Sequence, residues 1–196
     1  MEQVKSPQSG PVEESLSQIL AEARAAAEAG QIERAISLLD ERVIDNVDKV
    51  IDADPSRTDL MFLMANTFHA ARELDKAEGY YRRILDHEPN PLAYINLGHI
   101  CHFSGRLSEA IRYRREALEL CPDEASLYHD LGCSLIFVGR KEEGIEMLRK
   151  AVRLAPDDPD IHSTLLFRLH HMPQLDPPTL YREHKKWADV HAPMSL

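Results

Sequence analysis

Two stretches decide the fold: AYINLGHICHFSGRLSEAIRYRREALELCP (residues 93–122) and LYHDLGCSLIFVGRKEEGIEMLRKAVRLAP (residues 127–156). They align without a gap at a spacing of 34 residues, and both carry apolar residues at helical intervals of three and four. A repeat of this length predicts stacked pairs of antiparallel helices. The residues that coincide are Tyr94 and Tyr128, Leu97 and Leu131, Gly98 and Gly132, Gly105 and Gly139, Ala117 and Ala151, and Pro122 and Pro156.

The small residues have distinct places in such a pair, whose first helix is called helix A and second helix B. Gly98 and Gly132 lie where helix A must approach helix B, whereas Gly105 and Gly139 lie at the turn. This pattern resembles the tetratricopeptide repeat. The resemblance implies an all-α fold, a right-handed superhelix of antiparallel helix pairs with a C-terminal capping helix.

Weaker copies extend the array on both sides. The first repeat is divergent, and one apolar stripe predicts that its second helix continues from Gln31 to Pro55. The predicted organisation is a disordered lead-in (1–13), a divergent repeat 1 with an extended second helix (14–57), repeat 2 (58–90), repeat 3 (91–124), repeat 4 (125–158), a half repeat (159–172), and a proline-rich break with a C-terminal helix (173–196).

The composition limits the kinds of partner. The chain has 33 acidic and 23 basic residues, a net charge of -10, and therefore lacks the clustered cations that bind nucleic acid or anionic membranes. We expect a neutral or basic protein or peptide partner. Its three cysteines form no CxxC pair, and no stretch reads as a signal peptide or membrane span. These features predict a cytoplasmic protein without a disulfide framework.

A superhelix of such repeats presents helix A on its concave side, and repeat positions 2, 5, 6, 9, 12 and 13 can line the groove. The residues at these positions in repeats 2 to 4 and the half repeat combine aromatic, aliphatic, amide and imidazole groups. This mixture suits an extended polypeptide, because its backbone needs hydrogen bonds and its side chains need pockets. The candidates are Phe62, Asn66, His69, Ile95, Asn96, His99, His102, Phe103, His129, Asp130, Cys133, Phe137, Phe167 and His170.

The groove histidines admit two further interpretations. Imidazoles could bind a metal ion, and His129 lies one helical turn from Cys133. Neighbouring repeats stack about a helix diameter apart, however, which is too far for equivalent histidines to share one ion. We therefore predict a polar groove lining, with no metal and no cofactor. A groove that responds to pH is the other interpretation, since histidine changes charge near neutrality.

The stretch HSTLLFRLHHMPQLDPPTLYREHKKWADVHA (residues 162–192) carries a more particular resemblance. Its HSxLL, proline-rich break and EHxxWAxxHA resemble the segment that joins repeats to the catalytic domain in O-linked N-acetylglucosamine transferase and Spindly-type glycosyltransferases. The resemblance implies a substrate-recognition arm in which asparagines at the sixth repeat position grip a bound polypeptide. Only Asn96 matches, because Leu63, Asp130 and Thr164 occupy the equivalent positions.

The chain itself is expected to bind rather than to catalyse. It contains no glycine-rich phosphate loop, no HExxH and no GxSxG. Two functions remain open, a recognition arm of an O-linked protein glycosyltransferase or its relative, and a free-standing scaffold without a link to glycosylation. At the C-terminal end, Leu180, Tyr181 and Trp187 are predicted to dock onto the half repeat, with Trp187 partly buried. An uncovered apolar remainder of that helix would favour self-association.

Overall fold

The computed structural model describes residues 11–172 and 175–192. These residues form helices and no strand, and the predicted all-α fold of helix pairs is confirmed. The helices are α1 Pro11–Glu28, α2 Ile32–Leu38, α3 Glu41–Ala53, α4 Thr58–Ala70, α5 Leu74–His87, α6 Pro91–Phe103, α7 Leu107–Leu120, α8 Ala125–Phe137, α9 Lys141–Leu154, α10 Pro159–His170 and α11 Pro177–His191.

The chain divides into two compact units, and the boundary in the sequence lies between Pro89 and Asn90. In the first unit, α1 packs on α2 and α4, and α4 also contacts α3 and α5. The second unit contains α6 to α11, and each of these helices packs on the next one along the chain. Helices α6, α8 and α10 are the A helices of this unit.

Glycines allow the paired helices to approach closely. A Cβ atom at Gly132 of α8 would lie 2.8 Å from the carbonyl oxygen of Gly144 in α9. In the pair α6 and α7, a Cβ atom at Gly98 would lie 3.3 Å from Cγ of Arg114. A larger side chain at Gly132 would therefore force the two helices apart, as the sequence predicts for this position.

The turns between paired helices adopt a left-handed backbone conformation. Gly30, Gly105 and Gly139 have φ angles of 76°, 74° and 86°, which glycine adopts at little cost. In repeat 2 the equivalent residue is Arg72, with φ 65°. Sequence comparison of the repeats predicts the turn at this position but not the strained conformation of a non-glycine residue.

Two predictions about the N-terminal part are wrong in detail. The lead-in was expected to extend through residue 13, yet α1 begins at Pro11; residues 1–10 lie outside the described part. The extended second helix of repeat 1 is in fact two helices, α2 and α3. Asp40 causes the break, because its carboxylate accepts a hydrogen bond from the Val43 N–H at 2.8 Å and caps α3.

At the C-terminal end, the predicted break separates α10 from α11. Helix α10 ends at His170 and α11 begins at Pro177, close to the predicted limits. Pro173 and Gln174, which belong to this break, lie outside the described residues. The Asp176 carboxylate accepts a hydrogen bond from the Thr179 N–H at 3.1 Å and caps α11.

Candidate binding site on the second unit

The A helices of the second unit place equivalent residues in three rows, which together we call the α6–α8–α10 face. Along each helix, the members are separated by about one helical turn. All of them are half-buried or exposed, so they are available at the surface of this unit. The rows are Asn96, Asp130 and Thr164; His99, Cys133 and Phe167; and Phe103, Phe137 and His171.

Histidines connect the neighbouring A helices across this face. Each of three imidazoles reaches an oxygen on the next A helix, so that α6 is joined to α8 twice and α8 to α10 once. These rings therefore join the neighbouring A helices that carry the face. The contacts are His99 Nε2 to Asp130 Oδ2 at 2.9 Å, His102 Nδ1 to Ser134 Oγ at 3.2 Å, and His129 Nε2 to Thr164 Oγ1 at 3.3 Å.

A buried arginine supports the network from below. The side chain of Arg114, on α7, is only 4% exposed, and its guanidinium donates to Ser134 Oγ and lies 3.7 Å from Asp130 Oδ2. Burial lowers the pKa of this guanidinium. Burial also disfavours the ionised form of Asp130, but hydrogen bonds from His129 and His99 and the charge of Arg114 hold the pKa of Asp130 below its ordinary 3.8.

Two histidines of the face differ in protonation. The hydrogen bond to Asp130, followed by the contact with Cys133, raises the pKa of His129 to about 10. Burial and then the charge of Arg114 lower the pKa of His102 below 6.5. At neutral pH, His129 is therefore a cation tied to Asp130, whereas His102 is neutral.

The residues Cys133, His129 and Asp130 have the side-chain types of a nucleophile, a base and an orienting acid. The Cys133 sulfur lies 3.9 Å from His129 Nε2, and His129 Nδ1 lies 3.2 Å from Asp130 Oδ1. Cys133 is in the interior of α8, however, where backbone N–H groups bond within the helix and none remains to stabilise an oxyanion. This arrangement does not support acyl transfer. Among the described residues, no three or more His, Cys, Asp or Glu side chains converge to hold a metal.

Exposed aromatic side chains lie beside the network. Phe103 is 80% exposed and Phe137 is 73% exposed. The ring of His102 lies between them, with its centroid 5.8 Å from that of Phe103 and 6.4 Å from that of Phe137. Such surface is costly to leave in water and favours contact with an apolar group of a partner.

Other candidate residues on or beside the face differ in their exposure. Phe167 of α10 is also exposed, and its ring lies 4.7 Å from that of His171. Ile95 and Asn96 are half-buried on α6. Within residues 11–172 and 175–192, the Asn96 amide has no hydrogen-bond partner, so both its donor and its acceptor are free for a ligand.

The candidates from repeat 2 belong to the first unit, where Tyr81 engages two of them. The Tyr81 hydroxyl donates to Asn66 Oδ1 at 2.7 Å, and the ring of Phe62 meets that of Tyr81 edge-on at 6.2 Å. His69 borders a cleft of about 490 Å³ together with Arg24. We assign these residues to the first unit and do not include them in the α6–α8–α10 face.

His170, which the sequence predicts to line the groove, contacts the C-terminal helix. Three polar contacts join α10 to α11, and they link the HSxLL part of the sequence to the EHxxWAxxHA part. The two parts of this sequence pattern, which are separated by the proline-rich break, therefore contact each other in the folded chain. These contacts are His170 Nε2 to His184 Nε2 at 2.8 Å, His162 Nδ1 to His191 Nε2 at 3.2 Å, and Trp187 Nε1–H to Ser163 Oγ at 3.0 Å.

Apolar packing accompanies these contacts. Leu180 packs with Met172 and Leu175 against a buried cluster formed by Ile145, Leu148, Leu165 and Leu169. Trp187 is half-buried, as predicted. The prediction that Tyr181 docks is wrong: its side chain is 70% exposed, because it follows Leu180 directly and points to a different side of the helix.

Arg114 and Ser134 are the site residues that the sequence analysis missed. A signal was present, because Arg114 occupies the same repeat position as Tyr81 and Leu148, both of which are buried. A charged residue at a position occupied by core residues in the neighbouring repeats indicates a buried ion that needs partners. Ser134 has no comparable sequence signal.

Comparisons with known proteins agree with this fold. Models of the tetratricopeptide repeat match residues 20–90, 93–128 and 125–158. A solved structure titled "Crystal structure of MamA protein" gives a TM-score of 0.71 at 17% identity, covering 90% of this chain and 92% of that one. MamA from Desulfovibrio magneticus RS-1 gives a TM-score of 0.69 at 18% identity, covering 89% and 94%. At these identities the likeness concerns the fold alone.

One curated relative is the human Protein O-mannosyl-transferase TMTC1. It is 30% identical over 96 residues, which are 46% of this chain and 11% of that protein. The match therefore spans only a small part of the relative. In the part of the chain that the structure describes, no helix is sufficiently long and apolar to cross a membrane.

Proposed function

Because the chain belongs to the tetratricopeptide-repeat superfamily, a group of protein-interaction modules, we propose that it binds an extended polypeptide on the α6–α8–α10 face. The observation that carries this proposal is the pair of exposed rings, Phe103 and Phe137, on adjacent A helices. Aromatic side chains that a partner can cover contribute much of the binding energy in protein interfaces.

The polar part of the face supports a ligand with an extended backbone. The free amide of Asn96 can donate to a peptide carbonyl and accept from a peptide N–H. The imidazole contacts between α6, α8 and α10 restrain the face before the ligand arrives. Such restraint reduces the entropy that binding must remove.

We further propose that this binding presents polypeptides for O-linked glycosylation. Two observations favour this extension: the sequence resemblance of residues 162–192 to the joining segment of O-linked glycosyltransferases, and the partial match to a protein named O-mannosyl-transferase. On this proposal the chain binds the substrate and does not itself transfer sugar. The alternative is a scaffold that assembles a complex without glycosylation.

Selection from a library of random twelve-residue peptides tests the binding site. Selected peptides should bind the unaltered chain and lose about tenfold or more in affinity for the double variant Phe103→Ala/Phe137→Ala. The melting temperature should change little, since both rings are already exposed. Asn96→Ala should weaken binding of the same peptides by a smaller factor.

Tyr181→Ala is the matched control, because it removes an equally exposed aromatic ring that lies on α11. It should leave peptide affinity unchanged. Equal losses for Tyr181→Ala and for the double variant would contradict the assignment of the site. Enrichment of serine and threonine in the selected peptides would support the link to O-glycosylation, whereas peptides without hydroxyl side chains would favour the scaffold.

A further inference from the structure

Most of the polar contacts between α11 and α10 are made by histidines. His162 contacts His191 at 3.2 Å and His170 contacts His184 at 2.8 Å, so that two imidazole pairs join the same two helices. Among the described residues, the one other hydrogen bond between α10 and α11 is donated by the Trp187 indole to Ser163 Oγ. No α11 side chain among the described residues is fully buried.

An imidazole pair at this distance requires at least one neutral ring. One nitrogen must donate its N–H and the other must offer a lone pair, so a neutral pair or a singly protonated pair can form the bond. If both rings are protonated, two donors and two positive charges face each other and the bond is lost. The strength of such a hydrogen bond therefore falls when the pH is low enough to protonate both rings.

The charged groups around His162 disfavour a second proton on balance. Arg149 and Arg153 of α9 and Lys186 of α11 line the cleft of about 560 Å³ beside His162. The carboxylate in this lining, Glu183, favours a proton on His162, but it also forms an ion pair with Lys186 at 3.2 Å, and burial and the charges of His191 and Lys186 oppose that proton. Within residues 11–172 and 175–192, no ring of either pair forms an ion pair with a carboxylate.

We propose that the two imidazole pairs form a latch that holds α11 at neutral pH and releases it on acidification. Helix α11 covers one side of the apolar cluster formed by Ile145, Leu148, Leu165 and Leu169. Release uncovers that side, so the surface that the second unit offers to partners changes with pH.

The direction follows from proton linkage. Burial and then the charge of His191 lower the pKa of His162 in the docked state below its ordinary 6.5. The released state therefore binds more protons, and docking weakens as the pH falls. The contribution of the His162–His191 pair is at full strength above pH 6.5 and is lost as the pH falls through the depressed pKa of His162. Each additional proton taken up on release changes the docking equilibrium by about tenfold per pH unit.

Trp187 reports on the latch, because it is the only tryptophan and lies in α11. Its emission in the full chain should shift towards the solvent-exposed position when the pH is lowered from about 8 to about 5. Far-UV circular dichroism should show that the remaining helices persist through the same change. The double variant His184→Gln/His191→Gln should lose the pH-dependent shift, because glutamine can bond to His170 and His162 without becoming charged.

His87→Gln is the matched control, since His87 lies exposed at the end of α5 in the first unit. This variant should retain the whole shift. A shift that persists unchanged in the double variant, or no shift in the unaltered chain, would overturn the latch. If the double variant is undocked already at pH 8, NMR titration of the histidines in the unaltered chain replaces it. The pH at which the second ring of a pair becomes protonated should coincide with the pH of the emission shift. Protonation of both rings without an emission shift would also overturn the latch.

Discussion

At the scale of single residues, repeat alignment shows where this chain departs from its own pattern. Arg114 replaces a core residue and brings a buried charge beneath the α6–α8–α10 face. Arg72 replaces the turn glycine of the other repeats and must adopt a left-handed backbone conformation. Each departure therefore places a residue in an environment that is unfavourable for it: a charge in the core, and a side chain on a left-handed turn.

We expect Arg72→Gly to stabilise the chain. Left-handed backbone costs a non-glycine residue about 1–2 kcal/mol, while glycine raises the entropy of the unfolded chain at a cost of about 0.4–1 kcal/mol. The difference predicts a gain of about 1 kcal/mol in the free energy of unfolding, measured by urea denaturation. Gly105→Ala, at the equivalent turn of repeat 3, should change the free energy of unfolding in the opposite direction. Destabilisation by Arg72→Gly would contradict this account of the turn.

At the scale of helices, side chains rather than backbone decide how neighbouring elements are attached. Asp130 receives contacts from His99 on α6, His129 on α8 and Arg114 on α7. The Asp130 carboxylate is therefore the shared anion of two imidazoles and one guanidinium, in a network that spans three helices. The pairs between α10 and α11 differ in that they contain no carboxylate, and pH therefore affects the two attachments differently.

Asp130→Asn should destabilise the second unit by about 1–3 kcal/mol at pH 7, because a buried guanidinium and a protonated imidazole lose their anion. The pKa of Asp130 is depressed, so its contribution is present above pH 3.8 and is lost as the pH falls through the folded value. The difference between variant and unaltered chain should therefore shrink in acid. Urea denaturation at pH 7 and at about pH 3 measures this difference.

Asp189→Asn provides the comparison for this prediction. It removes the same charge from an exposed position on α11, and it should change the free energy of unfolding by less than about 0.5 kcal/mol. If the two asparagine variants behave alike, the network around Asp130 contributes no more than an ordinary surface charge.

At the scale of the whole molecule, the net charge of -10 determines which partners approach readily. A negative field attracts cations and repels acidic surfaces over distances set by the ionic strength. The protonated His129 does not make the α6–α8–α10 face positive, because its charge is paired with that of Asp130. We therefore retain the expectation of a neutral or basic partner.

A selected peptide that contains lysine should bind more weakly as salt rises. Between about 0.05 M and about 0.5 M NaCl the Debye length falls severalfold, and we expect a loss of about tenfold in association rate. The same peptide with its lysines replaced by glutamine should show little dependence on salt. Surface plasmon resonance measures both, and stronger binding at high salt would contradict a role for the net charge.

Local patterns were sufficient to predict much of the fold. The period of 34 residues, the glycines at close approaches and turns, and the prolines at helix ends are properties of short stretches, and each acts through the backbone next to it. The all-α pairs and the turns at Gly105 and Gly139 followed from them. The partial burial of Trp187 was predicted from the apolar face of the half repeat, which needs a cover. The break at Asp40 was also local, but the apolar stripe on both sides of it concealed the cap.

The sequence by itself determined the repeat architecture, the acidic character of the chain and the A helices that carry the candidate face. Only the tertiary structure decided which histidines meet which oxygens, that Arg114 lies beneath Asp130, and that His170 contacts α11. The physical reason is the separation along the chain of the residues that interact. Helix formation and turns depend on neighbours within a few residues, whereas an ion pair or an imidazole contact depends on side chains that are 14 to 35 positions apart in the chain and come together only through packing.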